Sequence, residues 1–339
     1  MKVIAYTRPG AGIVDIPEPQ IASPTEVKIK MSYASMCGSD LHEFAGDFDY
    51  LLPGEGPVPV GHEGSGIIAE LGPDATAKGL KVGDKVSFYF NNYCGTCHWC
   101  RNGQEQFCSN VEIRMAYMAD YIVMDEQQVF KLKDDADLVA ASIIEPVSIC
   151  LRGLDLAAPV PGQTLAVFGG GGIGQVTARL AVHSGCSSVT LFEPVAAKRQ
   201  VALDGGIPYA FDPITDDAYE KAMELTGGRG YDVVMECSGA QSAVESAKRI
   251  VSRGGTIVLL ATYKPGAEFT MPIHKAFLDE ITVVTGVMQS PYMFPRCVAL
   301  YDQLGLDKLA TVYGPEDFQK AIDDQSTGDT IKAVFDFTK

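Results

Sequence analysis

Two textures of apolar and polar positions divide the chain. Up to about Asp125 the apolar residues come in short runs cut by Gly and Pro, among them "VKIKMSYAS" and "KVSFYF". Period-two alternation puts successive side chains on opposite faces of a strand, so this stretch predicts an irregular β domain. From about Ala136 the spacing changes. "LVAASIIEPVSICLRGLDLA" is apolar at helical spacing and leads into "PGQTLAVFGGGGIGQVTARLAVHSG". Strand and helix signals then alternate: "TLAVFG" and a helix from Ile173, "SVTLFE" and "VAAKRQVALDGG", "YDVVMECSG" and "AQSAVESAKRI", then "GTIVLLA". That alternation predicts an α/β region with a parallel sheet and crossover helices. After "ITVVTGVMQ" the pattern turns helical and closes on the strand-like "IKAVFDF". No internal repeat or low-complexity segment interrupts it.

At 339 residues the chain has room for about two domains. Its formal charge of −16 would repel nucleic-acid phosphates and anionic membrane surfaces, which sets both aside as partners. "MKVIAYTRPG" has neither a long apolar run nor a small-residue cleavage site, so no signal peptide is expected. No stretch reaches the roughly 18 apolar residues of a spanning helix.

Four of the nine cysteines fall in "YCGTCHWCRNGQEQFC", at Cys94, Cys97, Cys100 and Cys108. Neighbours two residues apart make poor disulfide bridges, whereas four thiolates on one looping segment meet the needs of a tetrahedral zinc site. A shell closed by four sulfurs has no position for substrate, so this zinc would be structural and His98 a surface bystander. Reduced, metal-bound cysteines in an untargeted chain point to the cytoplasm.

"VFGGGGIG" holds G-x-G-x-x-G at Gly169, Gly171 and Gly174, after a β-rich run and at the head of a helix. Glycines there allow a tight turn and let a pyrophosphate rest on the free N–H groups of the helix N-terminus. Glu193 ends the next strand, 24 positions after Gly169. A carboxylate at that spacing suits a ribose hydroxyl and repels a 2′-phosphate, which favours NAD over NADP. Lys198 and Arg199 follow it and read as ordinary solvated helix charges.

"MCGSDLH" and "VGHEGSG" add Cys37, His62 and Glu63, a thiolate, an imidazole and a carboxylate, all acceptable to zinc. Three protein ligands with one open position describe a catalytic zinc. Glu145, in "IIEPVS" at the junction of the two textures, is a further carboxylate.

Taken together, "GHEGSGIIAELG", the Cys94–Cys108 loop and the glycine motif resemble the zinc-dependent medium-chain dehydrogenases, along essentially the whole chain. The resemblance implies a GroES-like β-rich catalytic domain over 1–150, with its structural zinc lobe at 94–108. A Rossmann NAD-binding domain would span 151–287, and 288–339 would return to complete the catalytic domain. It implies two zinc ions per subunit, with Cys37, His62 and Glu63 on the catalytic one and Glu145 either ligating or holding a water. Ser39 and His42 resemble the family's proton relay, and Asp40 the acid that fixes a ligand histidine, here His62. Cofactor contacts carry over to Gly171, Gly172, Ile173, Glu193 and Lys198, and further to Leu260, Ala261, Thr262, Met288, Gln289 and Ser290. Homo-oligomers, tetramers or dimers, are usual in the family.

"IIEPVS" is similar to the polyol branch, and "CGSDLHE" to its butanediol and polyol members. A polyol or vicinal diol is therefore the expected substrate, oxidised at a secondary alcohol with hydride passing to NAD. Threonine-like and hexitol-phosphate-like enzymes are the alternatives, and a binding protein on a retired scaffold is the rival of another class. Glu43 stands where sorbitol-type enzymes have an aromatic residue, and Gln289 with Ser290 where they have Arg-Tyr, so sorbitol itself is disfavoured. Glu43 could bind an ammonium or order a diol, but reads first as a solvated charge. "AYMADY" lacks the paired glycines usual before its strand.

Overall fold

The computed structural model describes residues 1–47, 56–264, 266–288 and 290–339. The chain forms two compact units, Met1–Glu145 with the C-terminal residues to Lys339, and Pro146–Met288.

In the first unit one sheet runs in the order Val129–Lys131, Lys85–Phe88, Glu63–Leu71, Glu26–Ser35, Lys332–Asp336 and Ala310–Tyr313, with Tyr121–Asp125 also paired to Glu26–Ser35. The pairing is antiparallel except for the last two strands, which are parallel. Ser35 lies opposite Glu63 on one side and Val334 on the other. This register lays the end of the chain beside the residues that lead into Cys37. Ile29, Met31, Phe88, Tyr117 and Phe335 pack into this unit's core. Gly64 has no spare room, since a Cβ there would sit 2.6 Å from the Met31 methyl carbon.

The second unit is a six-stranded sheet, parallel throughout, in the order Tyr209–Phe211, Ser188–Phe192, Thr164–Phe168, Tyr231–Glu236, Val251–Leu259 and Thr282–Thr285. Every residue of Thr164–Phe168 is buried, as befits a central strand covered on both faces. The strand order reverses between Thr164–Phe168 and Tyr231–Glu236, the switch point at whose carboxyl end such sheets take ligands. The fold is the expected pairing of a GroES-like β unit with a Rossmann unit.

Local details depart from the sequence pattern for identifiable reasons. The long apolar helical run is two helices, Leu138–Ala141 and Ile144–Ala157. Ser142 ends the first, where its backbone carbonyl accepts from Ser35 Oγ at 3.0 Å. Pro146 sits in the first turn of the second, where a missing N–H leaves no bond unmade. The strand Tyr209–Phe211 is three residues long at the sheet's edge, too short for a periodic signal. No helix among the described residues is long and apolar enough to cross a membrane.

Candidate metal centres and dinucleotide site

The sulfurs of the cysteine loop converge. Cys94 Sγ lies 4.0 Å from Cys100 Sγ and 3.5 Å from Cys108 Sγ, and Cys97 Sγ lies 3.5 Å and 4.0 Å from the same two. Four sulfurs about 2.3 Å from one tetrahedral zinc would be about 3.8 Å apart, so the spacing fits such an ion. Backbone N–H groups of Cys97 and Asn110 point at the Cys94 and Cys108 sulfurs, each at 3.4 Å. Backbone donation near Thr96, with its hydroxyl, brings the Cys94 thiol down to about 5, and Cys97 is also lowered. Thiolates are therefore favoured at these two positions, whereas burial and the Cys97 and Cys108 sulfurs push the Cys100 thiol up to about 12. His98 is exposed and bonds within its own turn, to Asn102. All nine cysteines are free thiols.

The second cluster is assembled from distant segments. Cys37 is the N-cap of the helix Gly38–Ala45, and His62 and Glu63 stand at the start of the strand Glu63–Leu71. Their ligand atoms lie within 4.8 Å of one another. His62 is 8% exposed and Glu63 fully buried. Glu63 accepts from Ser35 Oγ and from Lys332 Nζ, the latter at 2.7 Å. Lys332, itself 4% exposed, thus brings a cation under the cluster from near the chain's end. Asp40 Oδ2 accepts from the Cys37 backbone N–H at 2.7 Å, and Oδ1 stands 3.8 Å from His62 Nδ1. Neither that oxygen nor that nitrogen has a hydrogen-bond partner. Burial raises the Asp40 carboxyl, whereas for His62 the Cys37 sulfur, Asp40 and Glu145 outweigh burial and raise the imidazole well above its usual range. A thiol and three carboxyls crowd one imidazole and one ammonium, and a divalent cation would balance them. The donor set fits zinc. Glu145 is buried in the first turn of Ile144–Ala157, but its carboxylate is not among the atoms within that 4.8 Å.

Two members of "CGSDLHE" face different surroundings. His42 Nδ1 meets Asp47 Oδ2 at 2.7 Å on the half-exposed side of the helix, and Ser39 stands one turn back. Glu43, expected to be a solvated charge, is instead 8% exposed. One turn after the buried Asp40, it falls on the helix face that packs inward, a fact hidden from a sequence whose polar letters look alike.

In the second unit the glycine loop joins Thr164–Phe168 to the helix Gly172–His183, with Gly171 as N-cap. Gly169 has φ +96°, and a Cβ on Gly174 would come 1.8 Å from the Gly169 carbonyl oxygen. Both positions demand glycine. Ile173 occupies the helix's first turn. Glu193 is buried and holds the loop: Oε2 accepts from Gly170 N at 2.6 Å and Oε1 from Val195 N at 2.8 Å. Arg199 is no solvated cation. Its Nη1 donates to the carbonyls of Glu193 and Pro194, both at 2.7 Å, and lies 3.5 Å from Asp212. Lys198 is half-buried, its carbonyl taken by Gln175. A cavity of about 280 Å³ opens beside this loop, lined by Gly169, Glu193, Pro213, Ile214, Ser238 and Ala243 among others. Of the later positions, Leu260 is buried, and a Cβ on Gly153 would strike its side chain. Ala261 is half-buried, Thr262 exposed, and Met288 has φ +50°. Ser290, in the first unit, caps a short turn by accepting from Tyr292 N. Gln289 lies outside the described residues.

Sequence reasoning missed Ser35 and Lys332. The one available signal was a lysine inside the apolar strand "IKAVFDF".

Residues 23–134 match the family described as the alcohol dehydrogenase GroES-like domain, and residues 172–303 the zinc-binding dehydrogenase family. L-Threonine 3-dehydrogenase of Pyrococcus horikoshii is 30% identical over 350 residues, taking in 99% of this chain and 98% of that protein. Sorbitol dehydrogenase of Halalkalibacterium halodurans is 29% identical over 346 residues, 98% of each. A solved zinc-binding dehydrogenase of Sinorhizobium meliloti, bound to NADP, superposes with a TM-score of 0.88 at 27% identity, covering 99% of this chain and 98% of that one.

Proposed function

The chain belongs to the zinc-dependent medium-chain dehydrogenases of the alcohol dehydrogenase superfamily, and from that premise we propose that it exchanges a hydride between NAD and a secondary alcohol of a vicinal diol or polyol. The observation that carries the proposal is the convergence of Cys37, His62 and Glu63 ligand atoms within 4.8 Å. Zinc held there would supply Lewis acidity toward an alcohol oxygen, and a bound nicotinamide would provide the hydride acceptor.

The chain's own groups do the rest. Asp40, 3.8 Å from His62 Nδ1, orients the imidazole. Lys332 and Ser35 hold the Glu63 carboxylate in place. The alcohol proton leaves by Ser39 and His42, whose Nδ1 rests on Asp47 at the surface. At the dinucleotide loop, Glu193 places a negative charge where a 2′-phosphate would need a positive one, and the neighbouring Arg199 is already engaged by carbonyls and Asp212. Both features favour NAD over NADP.

An amino alcohol is the second reading, favoured by the Pyrococcus horikoshii relative. The chain associates with a second copy as a dimer or tetramer: the edge strand Thr282–Thr285 has no strand partner on its outer side among the described residues, with exposed Val283 in it and Ile273, Phe277 and Val287 beside it. Its nine free thiols suit the cytoplasm.

The test is a screen of diols, polyols, threonine and hexitol phosphates with NAD and NADP, read by absorbance of the reduced cofactor. Turnover of a diol or polyol with NAD, two zinc ions per chain, and a multimer on size-exclusion chromatography are expected. One zinc per chain and no turnover with any alcohol would leave the scaffold without its proposed activity.

A further inference from the structure

Phe90 turns its ring toward the Cys37 cluster, with its centre 5.1 Å from that of the His62 ring. Its neighbours Tyr89 and Asn91 line a cavity of about 360 Å³ beside the cysteine lobe, whose wall includes none of Cys37, His62 and Glu63. That wall belongs wholly to the first unit. Four rings stand in it, those of Tyr89, Tyr93, Phe130 and Tyr292, with Asn91 and Glu105 among them. The volume is in the range of small-molecule sites.

Two acceptors in this wall are bare. Asn91 Nδ2 donates to the Tyr89 and Tyr93 hydroxyls, at 3.0 Å and 3.3 Å, and the hydroxyls meet each other at 2.7 Å. These bonds fix the amide, and its Oδ1 is buried without a partner. Glu105, in the short turn Glu105–Phe107, is 5% exposed, and its Oε2 has no partner either. Lys78 does not serve it. That ammonium donates to the carbonyls of Gln127 and Val129, at 2.6 Å and 3.1 Å, and the carboxylates acting on it are Glu126 and Asp125.

We propose that this cavity binds a primary alkylammonium, its N–H groups given to Glu105 and Asn91 and its chain lying among the rings. The proposal goes beyond the oxidation reading and does not depend on it. Buried acceptors without donors weaken the folded chain, and a ligand rich in N–H groups makes good the loss. A hydroxyl would bring one donor and no charge, whereas an ammonium brings three donors and the charge that a carboxylate calls for. Aromatic faces attract cations, and Lys78 Nζ already rests 4.1 Å from the centre of the Phe130 ring. A metal ion fits less well. Among the described residues, the groups of three or more donors gathered within 4.8 Å are the two clusters above, and Glu105 is in neither.

The experiment titrates n-butylammonium and tetramethylammonium chlorides into the zinc-loaded full chain by calorimetry at constant ionic strength. Wild type is compared with Glu105→Gln, Tyr292→Ala and Cys37→Ser, with zinc per chain and the circular dichroism spectrum as controls. n-Butylammonium should bind wild type and Cys37→Ser alike. Tetramethylammonium, which has the charge but no N–H, should bind at least about 10-fold more weakly. Glu105→Gln should weaken n-butylammonium roughly 10–100-fold, the range for losing a charged hydrogen-bond partner. Tyr292→Ala should weaken it about 2–5-fold, the share of one exposed ring facing a cation. Tyr292 is 76% exposed, so its removal opens no core and tests the cavity even if Glu105→Gln loses the lobe's zinc. Absence of n-butylammonium binding to wild type overturns the proposal. So does binding that survives Glu105→Gln and Tyr292→Ala unchanged, or that disappears in Cys37→Ser, which puts the amine on the Cys37 cluster. Equal affinity for the two cations overturns it as well, since Glu105 and Asn91 would then receive no hydrogen bond.

Discussion

The two sulfur-bearing clusters of the first unit are built in opposite ways. The Cys94–Cys108 set is local, since its four sulfurs lie on one looping segment and are held by that segment's own backbone amides. The Cys37–His62–Glu63 set is global. Its donors come from two segments, its carboxylate is pinned by Ser35 and by Lys332 from near the chain's end, and His62 Nδ1 and the neighbouring Asp40 Oδ1 remain unpaired. A local, self-satisfied cluster is suited to hold a loop. A buried cluster with unmet polar atoms maintains unspent electrostatic interactions, and these are what a reacting ligand can use.

The sharpest way to break this contrast is at Cys37 and His62. Cys37→Ser and His62→Ala should each lower kcat by more than about 10³-fold, the scale of losing a metal's charge stabilisation, with an unchanged circular dichroism spectrum. Near-normal kcat in either would erase the distinction between the clusters. Next comes Lys332→Met, which strips the buried Glu63 of its cation. An uncompensated buried charge costs about 3–5 kcal/mol, so denaturant unfolding should show that loss. A midpoint within error of wild type would mean that Glu63 is held by Ser35 alone.

Cys97→Ser opens the local cluster and should act on stability without taking away turnover. The expected result is one zinc fewer per chain, a melting temperature lower by a few degrees or a weakened assembly, and kcat retained per folded chain. Should kcat collapse as in Cys37→Ser, the lobe would belong to the reaction.

Legibility in the sequence divides along the same line. The lobe's spacing and the glycine loop were legible because each is a property of one short segment, and period-two and helical spacing separated the two units. The ligand trio was legible as three acceptable zinc donors, but a lone cysteine or histidine has many ordinary uses, so it gained weight only beside the lobe and the glycine loop and through the family resemblance. Lys332 was not, because its partner lies 269 residues away and only sheet register joins them. Burial of Glu43 and the engagement of Arg199 were equally hidden. A charged letter in a helix carries no mark of the face it will turn inward, or of the carbonyl that will meet it.

The smallest expected effect lies where the local cluster is fastened to the sheet. Arg114 comes just after the lobe's last strand, Glu112–Ile113, and its N–H donates to the Phe90 carbonyl at 2.9 Å. Its guanidinium meets Glu26 Oε1 at 3.0 Å, while Glu26 Oε2 accepts from the N–H groups of Ala22 and Ser23. Burial works to raise the Glu26 carboxyl, but these three partners together bring it below its ordinary value of 4.5. A carboxyl depressed in the folded chain stabilises it above the unfolded value, and that contribution disappears as pH falls through the folded one. Glu26→Gln should therefore lower the melting temperature most near neutrality, and the gap from wild type should narrow as pH drops below about 4.5. The same variant at the Cys37 cluster's pH optimum should leave diol oxidation intact. A gap that stays constant from neutral pH into acid would show that Glu26 holds the lobe by shape and hydrogen bonding alone, with no share for its charge.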